Sequence, residues 1–165
     1  MYSKGDFIVH FTKGVCRVED ICMPDIDKGS DKRFYRLRVQ GSASADIYSP
    51  IDGKGITVRP LMSACEAGDL ISHMPSIAPV CVASEKMRKE AYRKLLSEPY
   101  PANLVSIIKT VYERAREKEK NRKKLAAFES EISSRAKELL YTEIGIALGI
   151  PTDGVEEYIV RKIDG

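Results

Sequence analysis

Five short runs within the first 62 residues alternate apolar with polar side chains, and this period of two limits the fold more than any other feature. In Lys4–Ile21, Phe7, Val9 and Phe11 alternate with smaller or polar residues. Val15, Arg17, Val18 and Glu19 do so less strictly. Such alternation suits a sheet with one buried face. Gly5-Asp6 opens the first strand, and Gly14 sits where the chain reverses, because glycine tolerates the positive φ of tight turns. Further strands are predicted at Arg33–Gln40, Ala45–Pro50 and Gly55–Leu61. Strands this short and closely spaced predict a small, strongly curled barrel. Asp52-Gly53-Lys54-Gly55 reads as a turn and lacks the spacing of a phosphate-binding loop.

The period then changes. Ser63–Met74 reads as a short helix or ordered turn ending at Pro75. Pro75–Ala83 is uncharged and carries two prolines, which predicts a connection packed between the halves instead of a free linker. Ser84 is placed to cap a helix to about Leu96, with Met87, Ala91, Leu95 and Tyr92 as its apolar stripe. Pro99 and Pro101 break the chain before a helix bearing Leu104, Ile108, Val111 and Ala115 on one side. The apolar pattern lapses after Arg116 and resumes from Leu125 to Leu148, where Gly149 and Pro151 end it. No Gly or Pro lies between Ala102 and Ile144, so a break near 123–127 and one long bent helix are both open. Asp153 with Glu156 predicts a capping box for a last helix to about Ile163. The fold class expected is α+β, with residues 1–75 as the barrel domain, 76–83 as a connection and 84–165 as an all-α domain.

Hydrophobic residues make up 43% of the 165, enough for a real core. No apolar run approaches the length of a membrane span, and no basic-then-apolar start suggests secretion, so a cytoplasmic location is expected. Cys16, Cys22, Cys65 and Cys81 form no C-x-x-C pair and are read as small buried thiols; no metal site or cofactor is expected. Neither His10 nor His73 sits in a nucleophile or ligand motif, so no catalytic residue is assigned and the protein is read as a non-enzyme. The net charge of +3 is uneven. Residues 1–83 carry ten basic and ten acidic side chains, and residues 84–165 carry seventeen against fourteen. Within Lys109–Lys124 the balance is eight to three, the pattern of one surface that meets nucleic acid or of a solvated helix face.

The ordered pieces KGD-hydrophobic-V, KGV-x-RVEDI, FYRLRV, IYSPID and GITVRP resemble the N-terminal domain of CarD-like transcription regulators. The same module is the RNA-polymerase-interacting domain of bacterial transcription-repair coupling factors. RAKELLYTEIGIALGI extends the resemblance into the second half and favours the stand-alone regulator over the longer repair helicase. The resemblance implies a Tudor/SH3-like barrel that binds the polymerase β subunit by strand addition through Asp46, Ile47, Tyr48 and Pro50. Tyr48 stands where relatives often carry an arginine. It further implies sequence-independent contact with promoter DNA through a basic helix, here Lys86, Arg88, Lys89 and Arg93, joined by Arg114 and Arg116. The outcome implied is a stabilised open complex, for example at rRNA promoters, in a cytoplasmic, nucleoid-associated protein. Relatives place a tryptophan wedge at the start of that helix. This chain has no tryptophan, and Ser84 takes the position.

Two other readings stand beside this one. A Tudor-like barrel with a helical domain serves protein–protein assembly without DNA. Alternatively, Glu143–Ile159 has helix-turn-helix spacing, as in a DNA-binding repressor, although Asp153, Glu156 and Glu157 would then face phosphates. Oligomeric state is not legible.

Overall fold

The computed structural model describes residues 1–23, 31–41, 46–52, 55 and 58–165. The expected turn at Gly53-Lys54, the start of the strand at Ala45 and part of the run 55–61 lie outside the described residues. The chain forms two compact units, Met1–Leu61 and Met62–Gly165.

The first unit is an antiparallel sheet of β1 (Phe7–His10), β2 (Gly14–Cys22), β3 (Phe34–Val39), β4 (Asp46–Pro50) and β5 (Val58–Pro60), in the order β4-β3-β2-β1-β5. Four of the five strands fall inside the runs marked by alternation, and β2 extends one residue past its run, to Cys22. The barrel expected of them does not close among the described residues: β4 and β5 are the two edges of an open sheet. Among the described residues β5 spans Val58–Pro60 and pairs with β1 alone. Gly14 adopts φ +84° at the β1–β2 turn, as its position requires. The core cluster is Ile8, Cys16, Val18, Tyr35 and Leu37. It is led by Ile8 and not by the Phe7, Val9 and Phe11 set, so the alternation was right in period and displaced by one residue. Val9 and Val15, paired across the ladder on the opposite face, are buried as well.

The second unit is helical: α1 (Ala64–His73), α2 (Glu85–Ser97), α3 (Pro101–Lys120), α4 (Ala127–Leu148) and α5 (Val155–Asp164). Ser63 caps α1 in a full capping box with Glu66. Ala67, Ile71 and Met74 bury into one cluster with Leu104, Ile107, Leu140, Ile144 and Val155. Residues 62–75 therefore pack with the helices, earlier than the domain boundary expected at 75. The stretch after them does the same: the Val80 N–H donates to Thr110 Oγ1 at 2.6 Å, and Ser106 Oγ donates to the Ala78 carbonyl at 2.6 Å. Lys109 Nζ donates to the carbonyls of Met74, Pro75 and Ile77 at 3.1, 3.0 and 2.6 Å, a cation satisfying the end of the α1 region.

The chain does break between α3 and α4. Asn121 ends α3, Arg122 adopts φ +52°, and Ala126 stands at the α4 N-cap without a side-chain cap. Gly149 ends α4 in the left-handed conformation. The capping box expected from Asp153 and Glu156 does not form. Gly154 is the α5 N-cap, and Glu156 instead accepts from Lys137 at 2.9 Å and from the Tyr141 hydroxyl at 3.4 Å. α5 packs through Val155 and Ile159, with Glu156 and Glu157 outward. No helix of the described residues is long and apolar enough to cross a membrane.

Candidate functional sites: an edge strand and a basic helical end

β4 offers one side to β3, and its other side carries no strand among the described residues. Its side chains alternate as a pleat requires. Ile47 leans into the core cluster opposite Leu37, and Ser49 is buried opposite Tyr35. Asp46, Tyr48 and Pro50 face solvent. Three of the four residues expected to bind polymerase thus share one outer face, and Ile47 supports it from behind. Asp46 accepts from Arg38 Nε at 3.1 Å. Tyr48, 51% exposed, stands opposite Arg36, whose Nε is buried without a hydrogen-bond partner among the described residues. An exposed tyrosine on an edge strand suits a partner offering an apolar rim.

In the helical unit, α2 and α3 form a hairpin whose open end gathers basic residues. The Lys89 ammonium lies 3.0 Å from Glu85 and holds that carboxyl below its usual range; Arg88 and Lys118 add to the effect. Arg88 of α2 and Arg114 of α3 both reach Glu129 in the first turn of α4. Lys89 also sits 4.6 Å from the Phe128 ring centroid in the first turn of α4. The exposed Arg122, Lys123 and Lys124 connect α3 to α4 at this end. The start of α2, the Arg114 region of α3 and the first turn of α4 thus meet around Glu129.

Not every basic residue named from the sequence lies open. Lys86, Lys89, Arg93 and Arg116 are exposed, Arg116 with its guanidinium 5.8 Å from the Tyr112 ring. Arg88 and Arg114 turn inward onto Glu129, which is fully buried. Lys109 is held by three carbonyls. Met87, expected in the apolar stripe, is instead 51% exposed beside Lys86, because the packed face of α2 runs through Arg88, Ala91, Tyr92, Leu95 and Leu96. Sequence reading missed Glu129 as an organising residue. Its one signal was a glutamate three residues into a helix whose cap position is an alanine that cannot engage it. All four cysteines are free, and Cys65 and Cys81 are exposed, unlike the buried thiols expected; both sit on the outer sides of their segments.

Among the described residues β4 is an edge strand without a second neighbour, a surface open to strand addition. A family profile for the CarD-like/TRCF RID domain matches residues 2–62, the extent of the sheet unit. Residues 2–62 are therefore a CarD-like RNA-polymerase-interacting domain. A comparison with curated proteins finds no match.

Proposed function

We propose that the protein is a non-enzymatic, cytoplasmic transcription regulator that docks on the β subunit of RNA polymerase through β4 and touches promoter DNA with its helical unit. The observation that carries this reading is the pairing of an RNA-polymerase-interacting domain with a helical unit whose basic residues gather at one end. Lys86, Lys89, Arg93, Arg116, Lys118 and the 122–124 run face phosphates; Arg88 and Arg114 shape the surface from beneath. Such contacts give affinity without sequence choice. Tethering through the sheet unit raises the local concentration of the basic end at the promoter, so weak contacts suffice to stabilise an open complex, rRNA promoters included. A pull-down with purified polymerase β fragments tests the first half. Retention of the chain by the β fragment supports the reading, and a chain that passes through removes it.

One feature favours the assembly reading. An apolar cavity of about 240 Å³ opens between Met74, Ile108, Leu140, Tyr141 and Ile163 in the helical unit. A chain that binds no duplex even at low salt would favour that reading, whereas duplex binding that does not respond to salt would favour the helix-turn-helix reading.

A further inference from the structure

α2 is weakly anchored by apolar packing. Of its 13 residues, Tyr92 alone is buried, with Ala91, Leu95 and Leu96 partly covered. A helix this polar does not hold a fixed position through hydrophobic contact alone. Its two inward polar groups converge on one atom. Arg88 Nε lies 3.4 Å from Glu129 Oε1, and the Tyr92 hydroxyl donates to the same oxygen at 3.5 Å. Burial pushes the Tyr92 phenol up to about 12, aided by the Glu129 charge, so the hydroxyl keeps its proton and acts as a donor. From α3, Arg114 Nε donates to Oε1 at 2.6 Å and Nη2 to Oε2 at 3.4 Å. One fully buried carboxylate thus faces two guanidinium groups and a phenol from two other helices.

The local sequence explains why Glu129 is free to do this. A glutamate at the third position of a helix usually folds back onto the cap residue's N–H when serine or threonine caps. Ala126 offers no such cap, and the Glu129 side chain crosses instead to α2 and α3. The N-terminus of α4 favours a negative charge there.

We infer that Glu129 is a positioning residue: its carboxylate fixes α2, and with it Lys86, Met87 and Lys89, in the orientation from which the basic end meets DNA. The inference rests on the DNA-contacting reading above. It separates from a simple charge effect by sign. Glu129→Gln makes the helical unit more positive, which by charge alone strengthens binding to a polyanion. Loss of positioning weakens it.

The test uses the full chain. Hydrogen exchange without DNA reads the docking of α2, and titration of a short mixed-sequence DNA duplex at two salt concentrations reads binding. Expected for Glu129→Gln are α2 amides that exchange about tenfold faster or more, with smaller changes in α3 and α4, and duplex affinity reduced several-fold, because a guanidinium left without its buried anion is expelled. Should Glu129→Gln fail to fold, Arg88→Met keeps the Glu129–Arg114 pair joining α3 to α4 and removes only the ionic anchor of α2; faster exchange confined to α2 is then required. Unchanged α2 exchange in both variants, or duplex affinity equal to or above wild type in Glu129→Gln, overturns the inference. A wild-type chain that binds no duplex overturns the DNA reading, and the exchange arm still decides whether Glu129 anchors α2.

Discussion

Tyr48 stands directly across the β3–β4 ladder from Arg36, on the solvent face of an edge strand. Among the described residues the ring's strand is paired on one side only, and the Nε of the guanidinium beside it is buried without a hydrogen-bond partner. An exposed aromatic that serves as an interface anchor carries a large share of binding energy. Tyr48→Ala is expected to weaken binding of the full chain to a polymerase β fragment by about 1–3 kcal/mol, with the fold intact. Calorimetric titration with circular dichroism as a fold control checks this, and unchanged affinity removes Tyr48 from the interface.

Lys89 and Arg93 lie exposed on α2, Lys89 within the cluster where α2, α3 and α4 meet. Each phosphate contact releases counterions, so affinity for duplex falls steeply with salt. Reversing both charges to glutamate is expected to lower affinity for all sequences alike and to flatten the salt slope by roughly one unit per lost contact. Fluorescence anisotropy across a salt series measures the slope. Binding confined to one sequence would instead favour α5 as a recognition helix.

Met87 projects from the first turn of α2, just past the Ser84 hydroxyl that accepts from its N–H at 3.2 Å. A flexible thioether in this exposed place is able to lean on an opened base step, the task a tryptophan performs in relatives. Met87→Ala is expected to shorten the lifetime of polymerase–promoter complexes under competitor challenge. Ser84→Trp is expected to lengthen it, despite losing about 1 kcal/mol of helix capping. If the alanine variant leaves lifetime unaltered, Met87 has no wedge role.

Glu66 is held below the usual carboxylate range by the Ser63 N–H first and the Ser63 hydroxyl second. A carboxyl whose folded value is depressed adds stability that is present above its unfolded value of 4.5 and is lost as pH falls through the folded value. Thermal melts are therefore expected to show the helical unit weakening in acid below about pH 4.5, less so in Glu66→Gln, which has no carboxyl to titrate. An identical acid dependence in the variant would discard the box as its source.

The four free cysteines divide by exposure. Burial pushes the Cys16 thiol up to about 11, and its Sγ contacts the Gly14 carbonyl. Cys65 and Cys81 are expected to react with a maleimide at neutral pH long before Cys16, as peptide mapping by mass spectrometry would show. Early labelling of Cys16 would mean that the sheet core opens readily.

Element existence was legible because local chemistry dictates it. Alternation gave all five strands, Ser63 and Ser84 marked two helix starts, and Gly149 marked an end. Closure was not legible, since it depends on whether β5 reaches β4, which no local pattern encodes. The outer residues of β4 follow from the pleat once Ser49 is known to face the core. The helical end was harder. Counting charge cannot separate Lys86, which is exposed, from Arg88, which a buried carboxylate 41 positions away draws inward. Met87 was misplaced for the same reason: a helix face buried through arginine and tyrosine does not announce itself as apolar.

The central claim is that one chain links polymerase to promoter DNA through its two units. The most direct measurement is the lifetime of competitor-challenged open complexes formed with polymerase from the same source, with and without the protein. The account predicts a longer lifetime with wild type, an effect reduced in Tyr48→Ala because docking is weakened and reduced when Lys89 and Arg93 are reversed for want of DNA contact. A lifetime unaffected by wild-type protein that is demonstrably bound to the polymerase would contradict it.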